Sequence, residues 1–195
     1  MGIVLASGSP RRRELLSMIG IGDFRIVIDE SEELIPHGLS PEQTVCQISI
    51  GKAKNVSRLC GICDTIIAAD TLVYLDGLPL GKPGNPDEAE AMLKSLSGRM
   101  HTVYTGLALL RGSKCSACAE MTRVYFREIS DTEIAAYVKT GEPMDKAGAY
   151  GAQGRGAVFI ERIEGDFFNV MGLPLCRLSM MLKEFGTVIL LPGDY

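Results

Sequence analysis

Helix starts are written into this chain at widely spaced points, and the stretches between them are rich in β-branched and apolar residues. Ser9-Pro10, Ser40-Pro41-Glu42-Gln43, Asn85-Pro86-Asp87-Glu88 and Ser130-Asp131-Thr132-Glu133 each put a side-chain acceptor ahead of a helical run. Pro10 suits the first helical position because its missing N–H would go unpaired there anyway. Ser40 to Gln43 is a capping box that predicts a helix to about Arg58, and Asn85 caps one to about Leu96. Ile3-Val4-Leu5 and Phe24 to Ile28 read as strands. Thr65 to Ala69 reads as a short apolar strand ending at Asp70-Thr71, and Leu72 to Leu80 as a hairpin turning at Asp76-Gly77. Val103 to Leu110 and Met121 to Ile129 predict two long antiparallel strands flanking a loop. A strand over Ala157 to Ile163 and a last helix over Leu173 to Phe185 follow a glycine-rich loop. Helical and antiparallel parts interleave, so the expected fold is α/β: a mixed twisted sheet with flanking helices and two lobes around a central cleft. The length of 195 residues fits a single domain over 1–195 of that kind.

Composition narrows the function. A net charge of −4 argues against broad binding to nucleic acid or to a membrane surface, which wants a basic field. No apolar run is long enough to span a bilayer, and no basic region precedes the short apolar run at the start, so a cytoplasmic location is expected. Six cysteines include the C-x-x-C pairs Cys60/Cys63 and Cys115/Cys118. Zinc knuckles sit much closer together than these pairs do, and neither pair lies where a strand feeds a helix as in redox motifs, so free thiols are expected.

The chemistry concentrates at a few points. After the first strand, the loop Ala6-Ser7-Gly8-Ser9 leads into a helix that opens with Arg11-Arg12-Arg13. A helix N-terminus attracts anions, and guanidinium forks match phosphate oxygens. Like charges crowded into one turn imply an anionic partner. Asp70 closes an apolar strand, where packing alone gives no reason for a carboxylate. Carboxylates on separate loops, such as Asp70 and Glu33, suit Mg²⁺ with waters left on it, and a water held there is a usable nucleophile against phosphorus. Lys52, on a helix, and Lys82, set by Pro83 in Gly81-Lys82-Pro83, are point charges for phosphates. Each also has an ordinary explanation: a turn carboxylate, a solvated helix face, a solvated loop. The arginine cluster lacks the spacing of a P-loop.

In LASGSPRRRELL, AADT with its hairpin and GKP, LSGRMHTVYTG, and GEPMDKAGAYGAQGRGAVFIERIEGDFFNVMGLPL, the chain resembles the Maf (septum formation) family of nucleoside triphosphate pyrophosphatases along nearly its full length. The resemblance implies an inosine triphosphatase-like α/β fold and metal-assisted hydrolysis, with Mg²⁺ or Mn²⁺, of a nucleoside triphosphate to monophosphate and pyrophosphate. It implies phosphate binding by Ser9, Arg12, Arg13, Lys52 and Lys82, and Asp70 as the carboxylate that takes the proton of the attacking water. It places the second acidic metal ligand, beside Asp70, at Glu33, with Glu30 and Glu32 as neighbouring alternatives, and it puts Asp145-Lys146 in the motif lining the far side of the cleft. A homodimer is compatible with the family.

Arg11, Thr71 and Gln153 stand where subgroups of the family differ, and the combination resembles the subgroup acting on dTTP, UTP and related pyrimidine nucleotides. An amide at Gln153 can both donate and accept, which suits the O4/N3 edge of uracil or thymine. The resemblance thus implies a house-cleaning pyrophosphatase for normal or modified pyrimidine nucleotides. The rival reading is a nucleotide-binding regulator of cell division and septum formation without turnover. The presence of Asp70 with Arg12, Lys52 and Lys82 favours the enzyme.

Overall fold

The computed structural model describes residues 2–29 and 38–189. Its strands form one seven-stranded mixed sheet. In chain order the elements are β1 (Ile3–Leu5), α1 (Pro10–Met18), β2 (Phe24–Ile26), α2 (Pro41–Ser57), β3 (Thr65–Leu75) and β4 (Leu78–Leu80). Then come α3 (Pro86–Leu96), β5 (Met100–Arg111), β6 (Lys114–Phe126), α4 (Asp131–Val138), β7 (Ile160–Glu164), α5 (Phe167–Met171) and α6 (Leu175–Glu184). The sheet order is β2-β1-β3-β5-β6-β7, with β4 paired to β3. β1 runs parallel to β2 and β3, whereas β4 on β3 and β7 on β6 are antiparallel.

The local signals account for most of these elements. Ser40 and Gln43 form the reciprocal capping box, as do Ser130 and Glu133, and Asn85 accepts from the Glu88 N–H at 2.9 Å. Asp76 and Gly77 both have positive φ (51° and 78°), the conformation a two-residue hairpin of matching twist requires. Ser9 occupies the cap position of α1, but its side chain makes no capping bond.

The strands depart from expectation in an instructive way. β3 does not stop at Asp70; it continues unbroken to Leu75 and makes the first arm of the hairpin itself. The expected loop after Leu110 is the two-residue connection Gly112-Ser113, so β5 and β6 are longer than their apolar cores and run antiparallel. The expected strand from Ala157 begins only at Ile160, because Arg155–Phe159 winds into a 3-10 turn.

The chain divides into two compact units. Unit 1 comprises residues 1–70, 105–120 and 172–195; unit 2 comprises residues 71–104 and 121–171. In unit 1, Ala53 and Val56 of α2 pack with Val4, Ile66, Ala68, Ala108 and Leu110 of the sheet. Leu5, Ile67 and Leu109 alternate with these on the opposite face and are equally buried, so this part of the sheet is apolar on both faces. The core of unit 2 joins Ala89, Leu93 and Leu96 of α3 to Ile134 and Tyr137 of α4, Val103, Phe126 and Tyr150. His101 lies within it, 1% exposed, edge-to-face with Phe126 at 4.9 Å and with Tyr150 at 5.3 Å.

Candidate functional site

Strand periodicity builds the centre of unit 1. Ile66 and Ala68 point to the face of the sheet that α2 covers, and a strand that continues with period two must put Asp70 on that same face. Lys52 projects from α2 there, and its Nζ donates to Asp70 Oδ1 at 2.7 Å. Both side chains are largely withdrawn from solvent, at 20% and 12% exposure. Gly106 of β5 makes the close approach of α2 possible. A Cβ at that position would run into the backbone carbonyl of Val45 and lie 2.8 Å from Ser49 Oγ. The sequence reading missed this role of Gly106, although a glycine inside a strand pattern signals a close backbone approach.

The loop after β1 lies at the carboxyl end of a strand that pairs with β3, since the Ala6 N–H donates to the Ile67 carbonyl at 2.8 Å. Ligands of α/β sheets gather at such strand ends. Arg12 is held there by two donors: Nε to the Gly172 carbonyl at 2.8 Å and Nη1 to Ser7 Oγ at 3.2 Å. Ser7 is buried and also accepts from the Ser9 N–H at 3.2 Å. Arg12 is therefore a fixed fork rather than a waving surface charge. Arg11 is half-buried beside it in sequence, and Arg13 is exposed.

Unit 2 carries the other expected positions. Thr71 continues β3 directly after Asp70 and is half-buried. Lys82 is exposed on the loop between β4 and α3, just after Gly81, whose carbonyl accepts from the Gly148 N–H at 3.1 Å. Gln153 is exposed at the crest of the loop Gly151 to Gly156. Lys146 Nζ donates to the Glu142 carbonyl at 2.5 Å and to Asp145 Oδ1 at 2.6 Å. Of the expected groups in unit 1, Lys52 and Asp70 are thus paired, while Arg12 and the Ser9 N–H meet on Ser7, a residue the sequence did not single out.

No group of three or more His, Cys, Asp or Glu side chains among the described residues is arranged to hold a metal. A cation of the Mg²⁺ kind asks less of a protein, one or two carboxylates with waters and phosphates filling the rest. Asp70 is a hard oxygen donor of that type. Glu33, expected beside it, lies outside the described residues, as do Glu30 and Glu32. All six cysteines are unpaired thiols, and burial pushes that of Cys118 up to about 11, far from a reactive thiolate. No helix among the described residues is long and apolar enough to cross a membrane.

A mixed sheet of this order with flanking helices defines an α/β fold, and it is similar to that of Ham1 proteins. The Staphylococcus aureus Ham1 protein superposes with a TM-score of 0.54 at 14% identity, covering 95% of this chain and 100% of the other. A HAM1 protein from Coxiella burnetii gives 0.50 at 17% identity, over 94% and 99%. The model of the Maf-like protein family matches residues 2–185, and the chain belongs to that family. Among its relatives, the dTTP/UTP pyrophosphatase of Methanosarcina mazei is 50% identical, covering 96% of this chain and 95% of the relative. Those of Pelotomaculum thermopropionicum and Symbiobacterium thermophilum are each 48% identical, over 96% and 98% of this chain and 98% and 97% of the relatives.

Proposed function

We propose that this chain is a nucleoside triphosphate pyrophosphatase that hydrolyses dTTP, UTP and modified pyrimidine nucleotides to the monophosphate and pyrophosphate, in a house-cleaning role. The observation that carries the reading is the Lys52–Asp70 pair, whose carboxylate stands on the strand beside which the loop leading to α1 and its anchored Arg12 begins. Relatives named dTTP/UTP pyrophosphatase at about half identity over nearly the whole chain support it. In this reading Asp70 takes the proton of a water whose oxygen bonds to the α-phosphorus, while the bond from that phosphorus to the bridging oxygen breaks and pyrophosphate leaves. Lys52 orients the Asp70 carboxylate through Oδ1. Ser9, Arg12, Arg13, Lys52 and Lys82 hold phosphates; Arg11, Thr71 and Gln153 select the nucleotide. Asp70 and Glu33 hold Mg²⁺ or Mn²⁺, which when bound neutralises phosphate charge and polarises the reacting centre. The unpaired thiols suit a reducing cytoplasm, and the net charge of −4 suits a small-molecule substrate rather than nucleic acid or membrane.

Product analysis tests the proposal. Pure protein incubated with a panel of nucleoside triphosphates and Mg²⁺ or Mn²⁺ is expected to release monophosphate and pyrophosphate from dTTP and UTP, with little from GTP. Preferential turnover of purines would overturn the substrate assignment. Tight binding of a nucleotide that stays intact would replace the enzyme with a regulator.

A further inference from the structure

The loop that lifts Gln153 to the surface has a carboxylate at its centre. Glu142 opens the 3-10 turn Glu142–Asp145 after α4. Its Oε1 accepts from the Tyr137 hydroxyl at 2.9 Å and from the Gly156 N–H at 3.3 Å, and its Oε2 accepts from the Arg155 N–H at 3.0 Å. The Tyr137 hydroxyl in turn accepts from the Gly151 N–H at 3.1 Å. Both ends of the loop are therefore tied, directly or through one hydroxyl, to a single side chain.

The glycines of the loop are there because the backbone wraps Glu142 and the two side chains beside it, Tyr137 and Lys146. A Cβ on Gly154 would overlap Glu142 Oε1 and lie 2.6 Å from its Cδ. A Cβ on Gly151 would lie 2.8 Å from Lys146 Cε and 3.1 Å from Oε1, and one on Gly156 would lie 2.7 Å from the Tyr137 hydroxyl. Gly151, Ala152 and Gly156 are buried while Gln153, Gly154 and Arg155 are exposed, so the loop is drawn in at its feet and presented at its crest. Burial works against a charge on Glu142. The Arg155 and Gly156 N–H groups, the Tyr137 hydroxyl and Lys146 outweigh it, and the carboxyl sits below its ordinary value.

We propose that Glu142 is a positioning residue for base selection, fixing from beneath the loop where Gln153 presents its amide. This rests on the reading of Gln153 as the base-contacting residue. The chemistry demands a carboxylate. Donors from Arg155, Gly156 and Tyr137 converge on its two oxygens, and an amide would turn its own N–H₂ against one of them. Displacing the loop by a fraction of its width takes the Gln153 amide off the pyrimidine edge, and misplacement on that scale costs on the order of ten- to a hundredfold.

The test is the ratio of kcat/KM for UTP to that for GTP, measured in the wild type and in Glu142→Gln, Gly154→Ala and Gln153→Ala. A ratio is insensitive to the fraction of protein folded, so a merely structural loss leaves it unchanged. Glu142→Gln is expected to lower it about tenfold or more, with the loss falling in KM for UTP more than in kcat. Gly154→Ala presses a methyl onto the carboxylate without removing its charge; it is expected to lower the same ratio, and it decides the matter if Glu142→Gln does not fold. A collapsed ratio in Gln153→Ala beside wild-type ratios in the other two would overturn the role of Glu142 and leave the base-contact reading standing. A wild-type ratio in Gln153→Ala, or no pyrimidine preference in the wild type, would overturn both.

Discussion

Acid should unfold this protein partly through one imidazole. His101 is 1% exposed, and its Nε2 is 2.8 Å from the Tyr150 hydroxyl. Its Nδ1 has no hydrogen-bond partner among the described residues. Protonation makes both ring nitrogens donors. Tyr150 can take one of these hydrogen bonds, but the Nδ1–H then stays buried and unpaired beside Phe126. Burial accordingly pushes the His101 pKa down from 6.5 to about 4. Between those values the unfolded chain holds a proton that the folded chain refuses, so stability rises with pH there. The contribution is complete above the unfolded value of 6.5 and is lost as pH falls towards about 4. The difference of roughly 2.5 pH units corresponds to about 3 kcal/mol. Urea unfolding at a series of pH values, compared between the wild type and His101→Gln, isolates the term. Glutamine cannot titrate and can still bond to Tyr150. Near pH 5 the wild-type stability should fall more steeply than the variant's, by about 1.4 kcal/mol for each pH unit. Parallel curves from pH 4 to 7 would refute the reasoning, because they would mean that His101 accepts a proton as readily in the fold as out of it.

Asp70→Asn should lower turnover roughly 10²- to 10⁴-fold, the range for a lost general base, while equilibrium dialysis still detects nucleotide binding; near-normal turnover would remove Asp70 from its proposed role. Gly106→Ala forces a methyl into the Val45 carbonyl and should destabilise the fold by about 1–3 kcal/mol, read by urea unfolding. By moving α2 it should also lower kcat more than the Tm loss explains, since Lys52 rides on that helix. Asn85→Ala removes the acceptor for the Glu88 N–H and should cost about 1 kcal/mol in the same assay, with no change in kcat.

The sequence by itself determined the helix starts and the turns. Ser40 with Gln43, Ser130 with Glu133, Asn85, and the Asp76-Gly77 turn act within a few residues of chain, and such short-range physics is complete in the local sequence. The alternation of apolar strands with capped helices was enough to specify a mixed α/β sheet. The same residues that make those elements also carried the resemblance to the Maf family, and the candidate positions Ser9, Arg12, Lys52 and Asp70 with it.

Tertiary structure alone decided how those residues meet. Asp70 looked like the end of a strand because a carboxylate usually ends one. Pairing with β1 on one side and β4 further along carries β3 through it, and the period of two then turns Asp70 towards α2. Lys52 reaches it across 18 residues of chain, and Arg12 is anchored by a carbonyl 160 residues away. Glu142 gave no signal of its own as a loop tether, because two of its three donors are backbone N–H groups that any sequence offers and the third, Tyr137, comes from the preceding helix. Only the folded chain shows that the glycines of the Gln153 loop are small because Glu142, Tyr137 and Lys146 already fill the space that a Cβ would need.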